Sequence, residues 1–271
     1  HEPERNPGGG KNRLYVVGIG PGSLEHLSAR ARQVLTTVDT IVGYHTYIDL
    51  IRPLIDRQEI IATGMTGEVK RVAAAIETVS SGRSCAVVSS GDPGIYAMAG
   101  LVLEMCRERE LAVAPPGAGG ETLELEVVPG IPALCAGGAL LGAPLMHDFA
   151  AVSLSDLLTP WEVIEKRLEA AAAADFVMVL YNPKSRRRRD QLENALQIIR
   201  RHRPDDTPAG VVRNATRPEQ QVTVTTLGRL HEASVDMSSI VFIGNQATFR
   251  YRDFMVTPRG YARKYQLDGE G

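Results

Sequence analysis

The stretch Ser89-Ser90-Gly91-Asp92-Pro93-Gly94-Ile95-Tyr96 follows an apolar run, Cys85 to Val88, with the length and β-branched character of a buried strand. It precedes Ala97 to Arg109, in which Met98, Leu101, Val102 and Met105 recur at helical spacing. Strand, glycine-containing turn and helix in that order predict an α/β fold. The turn falls at the carboxyl edge of a parallel sheet, where open folds of this class hold ligands. Gly91 and Gly94 let a ligand approach the backbone, and Pro93 stiffens the turn. Asp92 either accepts hydrogen bonds from a ligand or caps the helix.

Upstream, Leu14 to Ile19 reads as a first strand and Gly18-Ile19-Gly20-Pro21-Gly22-Ser23 as the turn after it. A dinucleotide-binding turn needs a third glycine where Ser23 stands and an acid after the second strand, whereas Asp39 precedes Thr40-Ile41-Val42. A nicotinamide site is therefore disfavoured, although Gly20, Pro21 and Gly22 still offer an exposed backbone. Leu24 to Val38 predicts a helix, Thr40 to Gly43 a strand, and Tyr44 to Asp49 a loop. The two tyrosines and the histidine of that loop either line a pocket for a flat aromatic ligand or pack on the next helix. Glu59 to Ala62 predicts a third strand and Val69 to Val79 an amphipathic helix.

Downstream, Ala-Pro-Pro-Gly-Ala-Gly-Gly at 114–120 continues neither helix nor strand and marks a loop near a domain boundary. We expect a disordered tail over 1–13, an N-terminal α/β domain over 14–120 and a C-terminal α/β domain over 121–271. Leu123 to Val128 predicts a strand, Pro129-Gly130-Ile131-Pro132-Ala133 a second strand-to-turn junction, and Leu134 to Leu141 a helix of small residues. Thr159 and Glu162 have capping-box spacing with Pro160 at the first helical position, which predicts a helix to about Ala173. Phe176 to Leu180 predicts a strand that delivers Tyr181-Asn182-Pro183. Four cations, Arg186 to Arg189, then open a helix from Asp190 to Arg201, against its macrodipole. They are either a solvated face or a docking patch for a polycarboxylate. Ala209 to Val212, Gln221 to Thr225 and Ile240 to Ile243 complete a second sheet.

Composition narrows the class. With 271 residues, 44% hydrophobic and 23% charged, the chain has ample material for cores, and a net charge of -2 gives no general attraction to nucleic acid or an acidic membrane. No apolar run reaches membrane-spanning length, and the polar N-terminus lacks the apolar region of a signal peptide. Three widely spaced cysteines in apolar segments fit reduced core thiols and a cytoplasmic location, not disulfides or a metal site. Gly-x-Ser-x-Gly, Walker and His-Glu-x-x-His patterns are absent, which disfavours hydrolase, nucleotidase and zinc chemistry. What recurs is a set of glycine- and proline-containing junctions at strand ends, in both halves. Such junctions suit a ligand held by backbone groups, for example a donor whose own reactivity drives group transfer.

Several of these segments together resemble the tetrapyrrole methylase family. The family-level marks are Val17-Gly18-Ile19-Gly20-Pro21-Gly22, Gly91-Asp92-Pro93, and Val128-Pro129-Gly130-Ile131 with Ala133. Narrower marks are Gly43 to Asp49, Gly91 to Tyr96, His147-Asp148-Phe149, Ser153 to Glu162 and Tyr181-Asn182-Pro183. These resemble the subgroup that methylates C17 of precorrin-3B, or its cobalt form, and contracts the macrocycle during cobalamin biosynthesis. The resemblance spans about residues 14 to 257. It implies two α/β domains with the active site in the cleft between them, usually in a homodimer, and S-adenosylmethionine as donor with S-adenosylhomocysteine as product.

Carried over by motif, the donor contacts that the resemblance implies fall on Pro21, on Gly91, Asp92 and Ile95, on Pro132 and Ala133, and on Asn182 and Ala215. Pro132 stands where the family often has Ser or Thr, so it offers an apolar contact but neither a hydroxyl nor a backbone donor. Ring contraction needs proton movement on a macrocycle oxygen. His147, Asp148, Ser153 and Asp156 are the candidates, with caps and backbone hydrogen bonds as their alternative roles. No metal ligand set is expected. The competing readings are a sibling methylase acting at another carbon, a nicotinamide oxidoreductase and a non-catalytic tetrapyrrole carrier.

Overall fold

Leu14 to Val17 is an unbroken apolar run because helices cover both of its sides. It lies in strand β1 (Arg13–Gly18), at the centre of a six-stranded parallel sheet. The other strands are β2 (Thr40–Tyr44), β3 (Glu59–Thr63), β4 (Cys85–Ser89), β5 (Val113–Ala114) and β6 (Leu123–Val128), in the order β3-β2-β4-β1-β6-β5. Tyr15, Val17 and Ile19 pack under α1 (Ala29–Thr37) and α2 (His45–Ile51). Leu14 and Val16 pack under α3 (Glu68–Ser80) and α4 (Ala99–Glu108). Neighbouring β1 and β4 therefore send their crossovers in opposite directions, over opposite faces: β1 through α1 to β2, and β4 through α4 to β5. That divergence is a topological switch point, and the Ser89–Tyr96 turn lies on it.

This is a computed structural model, and it describes residues 12–118 and 122–267. Most of the expected tail lies outside the described residues, but Arg13 already pairs with Glu124 as the first residue of β1. The chain divides into two units, the first ending at Pro132 and the second beginning at Ala133. The boundary expected after residue 120 thus falls after Pro132, because β6 pairs in parallel with β1 from Arg13↔Glu124 to Val17↔Val128. Tyr44 to Asp49 is not a loop: Ile48 and Ile51 are buried three residues apart and hold α2 against the sheet. The expected Leu24–Val38 helix is a 3-10 turn followed by α1, because the Ser28 side chain accepts from Ala31 N at 3.1 Å and starts the helix there.

In the second unit, α5 (Ala133–Leu141) leads through β7 (Gly142–Ala143) into a mixed five-stranded sheet. Its strands are β8 (Phe149–Ser153), β9 (Val177–Tyr181), β10 (Pro208–Arg213), β11 (Gln221–Thr226) and β12 (Ser239–Ile243), in the order β11-β10-β12-β9-β8. One face packs on α6 (Trp161–Ala173) and α7 (Gln191–Arg200), the other on α5. The small residues of α5 serve close packing, since a Cβ on Gly137 would come within 2.9 Å of the Phe242 ring. The capping box at Thr159 does not form; Pro160 is the N-cap, in extended conformation, and its carbonyl accepts from Val163 N at 3.0 Å. A hairpin that the sequence did not signal, β13 (Phe249–Tyr251) and β14 (Phe254–Val256), returns to pair β14 with β7 and seats fully buried Met255 in the α5-side core. No helix among the described residues is long and apolar enough to cross a membrane.

Candidate functional site

In the first unit, three loops that leave β1, β4 and β6 are joined at the carboxyl edge of the sheet. Gly91 N donates to Gly20 O at 2.8 Å and Gly20 N to Gly91 O at 3.1 Å, a two-bond bridge between the first and second loops. Both glycines are left-handed, with φ of 65° and 72°, so this bridge requires the residue type. The third loop is packed against both. A Cβ on Gly18 would lie 2.7 Å from Gly130 N and from Gly91 O, and one on Gly130 would run into the Gly91 carbonyl. Asp92 closes the arrangement: Oδ1 accepts from Gly94 N at 2.8 Å and Oδ2 from Gly130 N at 3.1 Å.

Asp92 is therefore a pin between loops and not a helix cap; α4 starts only at Ala99 and its N-cap Met98 makes no side-chain cap. Between them Tyr96 is held at φ 52° with its side chain half exposed. A non-glycine residue in that region costs on the order of 1–3 kcal/mol, a strain typical of functional loops. The hydroxyl of Ser89, at the end of β4, is buried with no hydrogen-bond partner among the described residues. Thus Pro21, Gly91, Asp92 and Ile95 lie in two bridged loops, and Pro132 ends the third. Arg71, buried, supports the same edge at β3 by donating to Thr63 Oγ1 at 2.8 Å and Gly64 O at 3.2 Å.

In the second unit, β8 and β9 are parallel, and β12 is antiparallel to both β9 and β10, so β8, β9 and β10 end on one edge. Asn182 follows β9 at φ 51°, and Asn214 and Thr216, on either side of Ala215, have φ of 49° and 63°. Asn182 Nδ2 donates to Ser153 Oγ at 2.9 Å. The Tyr181 hydroxyl accepts from Leu134 N at 3.0 Å, which satisfies one of the amides exposed at the start of α5. Ala133 and Ala215 pack in the same apolar cluster as Tyr181. The structure therefore brings Ala133, Asn182, Ala215 and Ser153 to one edge. Asp156 belongs there too, with Oδ2 accepting from Gln191 Nε2 at 3.0 Å.

His147 and Asp148 do not join them. They precede the first residue of β8, whereas Ser153 is its last, so about 17 Å of strand at roughly 3.3 Å per residue separates the two pairs. The His147 ring accepts from the Asp148 backbone N–H at 2.9 Å, and both side chains are exposed. The four acid–base candidates are thus split between opposite edges of the sheet.

Sequence reasoning missed Arg188, whose Nε donates to Asn182 O at 3.1 Å and whose Nη1 donates to Ser155 Oγ at 3.2 Å. Arg186, Arg187 and Arg189 stay exposed. Within a run of four identical residues nothing distinguishes the one that turns inward. The Tyr181 hydroxyl was also missed, for it reaches back 47 positions.

Comparison with known proteins gives a consistent relationship. Residues 13–231 match the family described as Tetrapyrrole (Corrin/Porphyrin) Methylases. The chain is 45% identical over 248 residues to a protein of Salmonella typhimurium named "Probable cobalt-factor III C(17)-methyltransferase", covering 92% of this chain and 99% of that one. It is 49% identical over 259 residues to the "Cobalt-factor III methyltransferase" of Priestia megaterium, but spans only 47% of that relative's length, so about half of that longer protein has no counterpart here. Among solved structures, "Crystal structure of the methyltransferase CobJ" superposes with a TM-score of 0.81 at 37% identity, covering 91% of this chain and all of that one.

Proposed function

The chain belongs to the tetrapyrrole (corrin/porphyrin) methylase family, and from that premise we propose that it transfers a methyl group from S-adenosylmethionine to C17 of precorrin-3B or its cobalt form, with contraction of the macrocycle, in cobalamin biosynthesis. The observation that carries this reading is the end-to-end correspondence with the Salmonella relative, 99% of whose length is matched. The names of both relatives favour the cobalt-bearing macrocycle as substrate.

The residues present fit such a donor. A bound sulfonium supplies a methyl group already activated for displacement, so the protein's task is orientation. The first unit offers backbone amides and carbonyls fixed by the Gly20–Gly91 bridge and, at Ser89, a buried hydroxyl without a partner among the described residues. There Pro21, Gly91, Asp92 and Ile95 are assigned to the donor, with Pro132 as an apolar contact. In the second unit Ala133, Asn182 and Ala215 take that role. The proton movement that accompanies contraction is assigned to the edge of Ser153 and Asp156, because it also holds Asn182. His147 and Asp148 are assigned a local turn role.

The test is to incubate the purified chain with S-adenosylmethionine and, separately, the cobalt-bearing and metal-free macrocycles. Mass spectrometry and carbon NMR then follow the product. One added methyl at C17 with a contracted ring is expected. Methylation at another carbon makes the protein a sibling enzyme, and no binding of the donor in calorimetry overturns the methyltransferase reading. Sedimentation velocity tests the homodimer that the family resemblance implies.

A further inference from the structure

The second unit carries a closed ring of hydrogen bonds at the edge just assigned to the donor. Ser153 Oγ receives Asn182 Nδ2 at 2.9 Å and Ser155 N at 3.3 Å. The Asn182 carbonyl receives Arg188 Nε at 3.1 Å, and Arg188 Nη1 returns to Ser155 Oγ at 3.2 Å. Four residues from the ends of β8 and β9 thus close a loop in which a single guanidinium spans both strand ends.

Arg188 is itself held in place. Ser185 Oγ accepts from Arg188 N at 3.0 Å and from Arg187 N at 3.3 Å, while Ser185 N donates to Arg188 O at 2.9 Å. Its acceptors in the ring are a carbonyl and a hydroxyl, and it makes no ion pair within 4 Å among the described residues. Asn182 stands in the left-handed region, which asparagine tolerates better than other side-chain-bearing residues but does not hold unaided. The ring imposes it from two sides, at the backbone carbonyl and at the side-chain amide.

We propose that Arg188 is a positioning residue: it fixes the left-handed conformation of Asn182, and with it the Ser153–Asp156 loop, so that Asn182 is preorganised for the adenosyl donor. The proposal rests on the methyltransferase reading above. It separates Arg188 from Arg186, Arg187 and Arg189, which remain exposed. A planar fork that donates to two acceptors at fixed geometry is a task lysine cannot fully reproduce.

The experiment is calorimetric titration of S-adenosylhomocysteine into the 271-residue chain and its variants, with melting temperatures measured on the same samples. Arg188→Ala is expected to raise Kd about tenfold, the size of effect that loss of a charge-assisted bond produces, while the melting temperature moves little. Arg188→Lys should fall between alanine and wild type, and Arg187→Ala should bind like wild type. Ser155→Ala, which removes one acceptor and leaves the guanidinium, should raise Kd by about threefold and serves in place of Arg188→Ala should that variant not fold. Kd unchanged in Arg188→Ala, or raised equally in Arg187→Ala, overturns the positioning role. So does a Ser155→Ala protein that binds like wild type. Failure of the wild-type chain to bind overturns the methyltransferase reading and this role together; binding by wild type matched by Arg188→Ala overturns the role alone.

Discussion

At the carboxyl edge of the first sheet, Gly18 and Gly130 lie so close that neither tolerates a Cβ, and the loops are joined through main-chain atoms with one carboxylate between them. At the corresponding edge of the second sheet, the loops are joined through side chains: Asn182 to Ser153, Arg188 to Asn182 and Ser155, Gln191 to Asp156. Both edges hold non-glycine residues at positive φ, Tyr96 in one and Asn182, Asn214 and Thr216 in the other. The same end, a strained loop held still, is reached by two means. A backbone interlock has no slack, so any added atom moves the loops. A side-chain ring can lose one member and keep its shape, at the expense of stiffness.

This contrast sets the order of expected effects. Gly130→Ala or Gly18→Ala should be the most damaging, because backbone must shift to admit the methyl group; overpacking costs about 1–3 kcal/mol or more. Denaturant melts should show that loss, together with loss of S-adenosylhomocysteine binding. A variant as stable as wild type would mean that the loops are looser than described.

Asp92→Ala comes next. It leaves the half-buried amide of Gly130 without its acceptor, while exposed Gly94 can turn to water, a loss of about 1 kcal/mol. Donor affinity should fall by more than stability does, and an unchanged Kd would remove Asp92 from the donor site. Ser153→Ala should lower kcat by roughly a hundredfold or more, the scale of a positioned proton-transfer group, with the fold intact. His147→Ala should change kcat less than twofold. The reverse ranking would return the proton chemistry to the other end of β8.

The smallest effect is a thiol count. Burial pushes the Cys85 thiol up to about 12 and raises that of Cys106, whereas Cys135 is exposed on α5. A native-state thiol titration should therefore find one fast-reacting group per chain, in the second unit. Fast reaction of two would show that the first core opens readily.

The backbone-built edge was also the one legible in sequence. Gly18, Gly20, Gly91 and Gly130 announce it because only glycine serves at those positions, and the apolar runs before them announce the strands. The second edge was legible only in outline. Tyr181-Asn182-Pro183 follows a predicted strand and Ala215 is reached only through the family resemblance, but the partners of a serine or an arginine are set by which strands lie side by side. That order, β12 between β9 and β10, is not local information. The same gap explains the four acid–base candidates, which are near one another in sequence yet separated by the full length of β8. It explains the boundary as well, since the pairing of β6 with β1 joins residues more than a hundred positions apart. The Tyr44–Asp49 error has a different origin: aromatic and hydroxyl residues disguised a short helix whose burial at Ile48 and Ile51 decided the outcome.

The return of β14 to β7 has a consequence for the order in which the molecule can be made. Every strand of the first sheet is complete once residue 128 has left the ribosome, so that unit can close during synthesis. The α5-side core of the second unit waits for Met255, and the Thr257 N–H bond to the Ala143 carbonyl comes later still. Shortened products that stop before the final hairpin would emerge with one finished half and one whose apolar interior stays open to water.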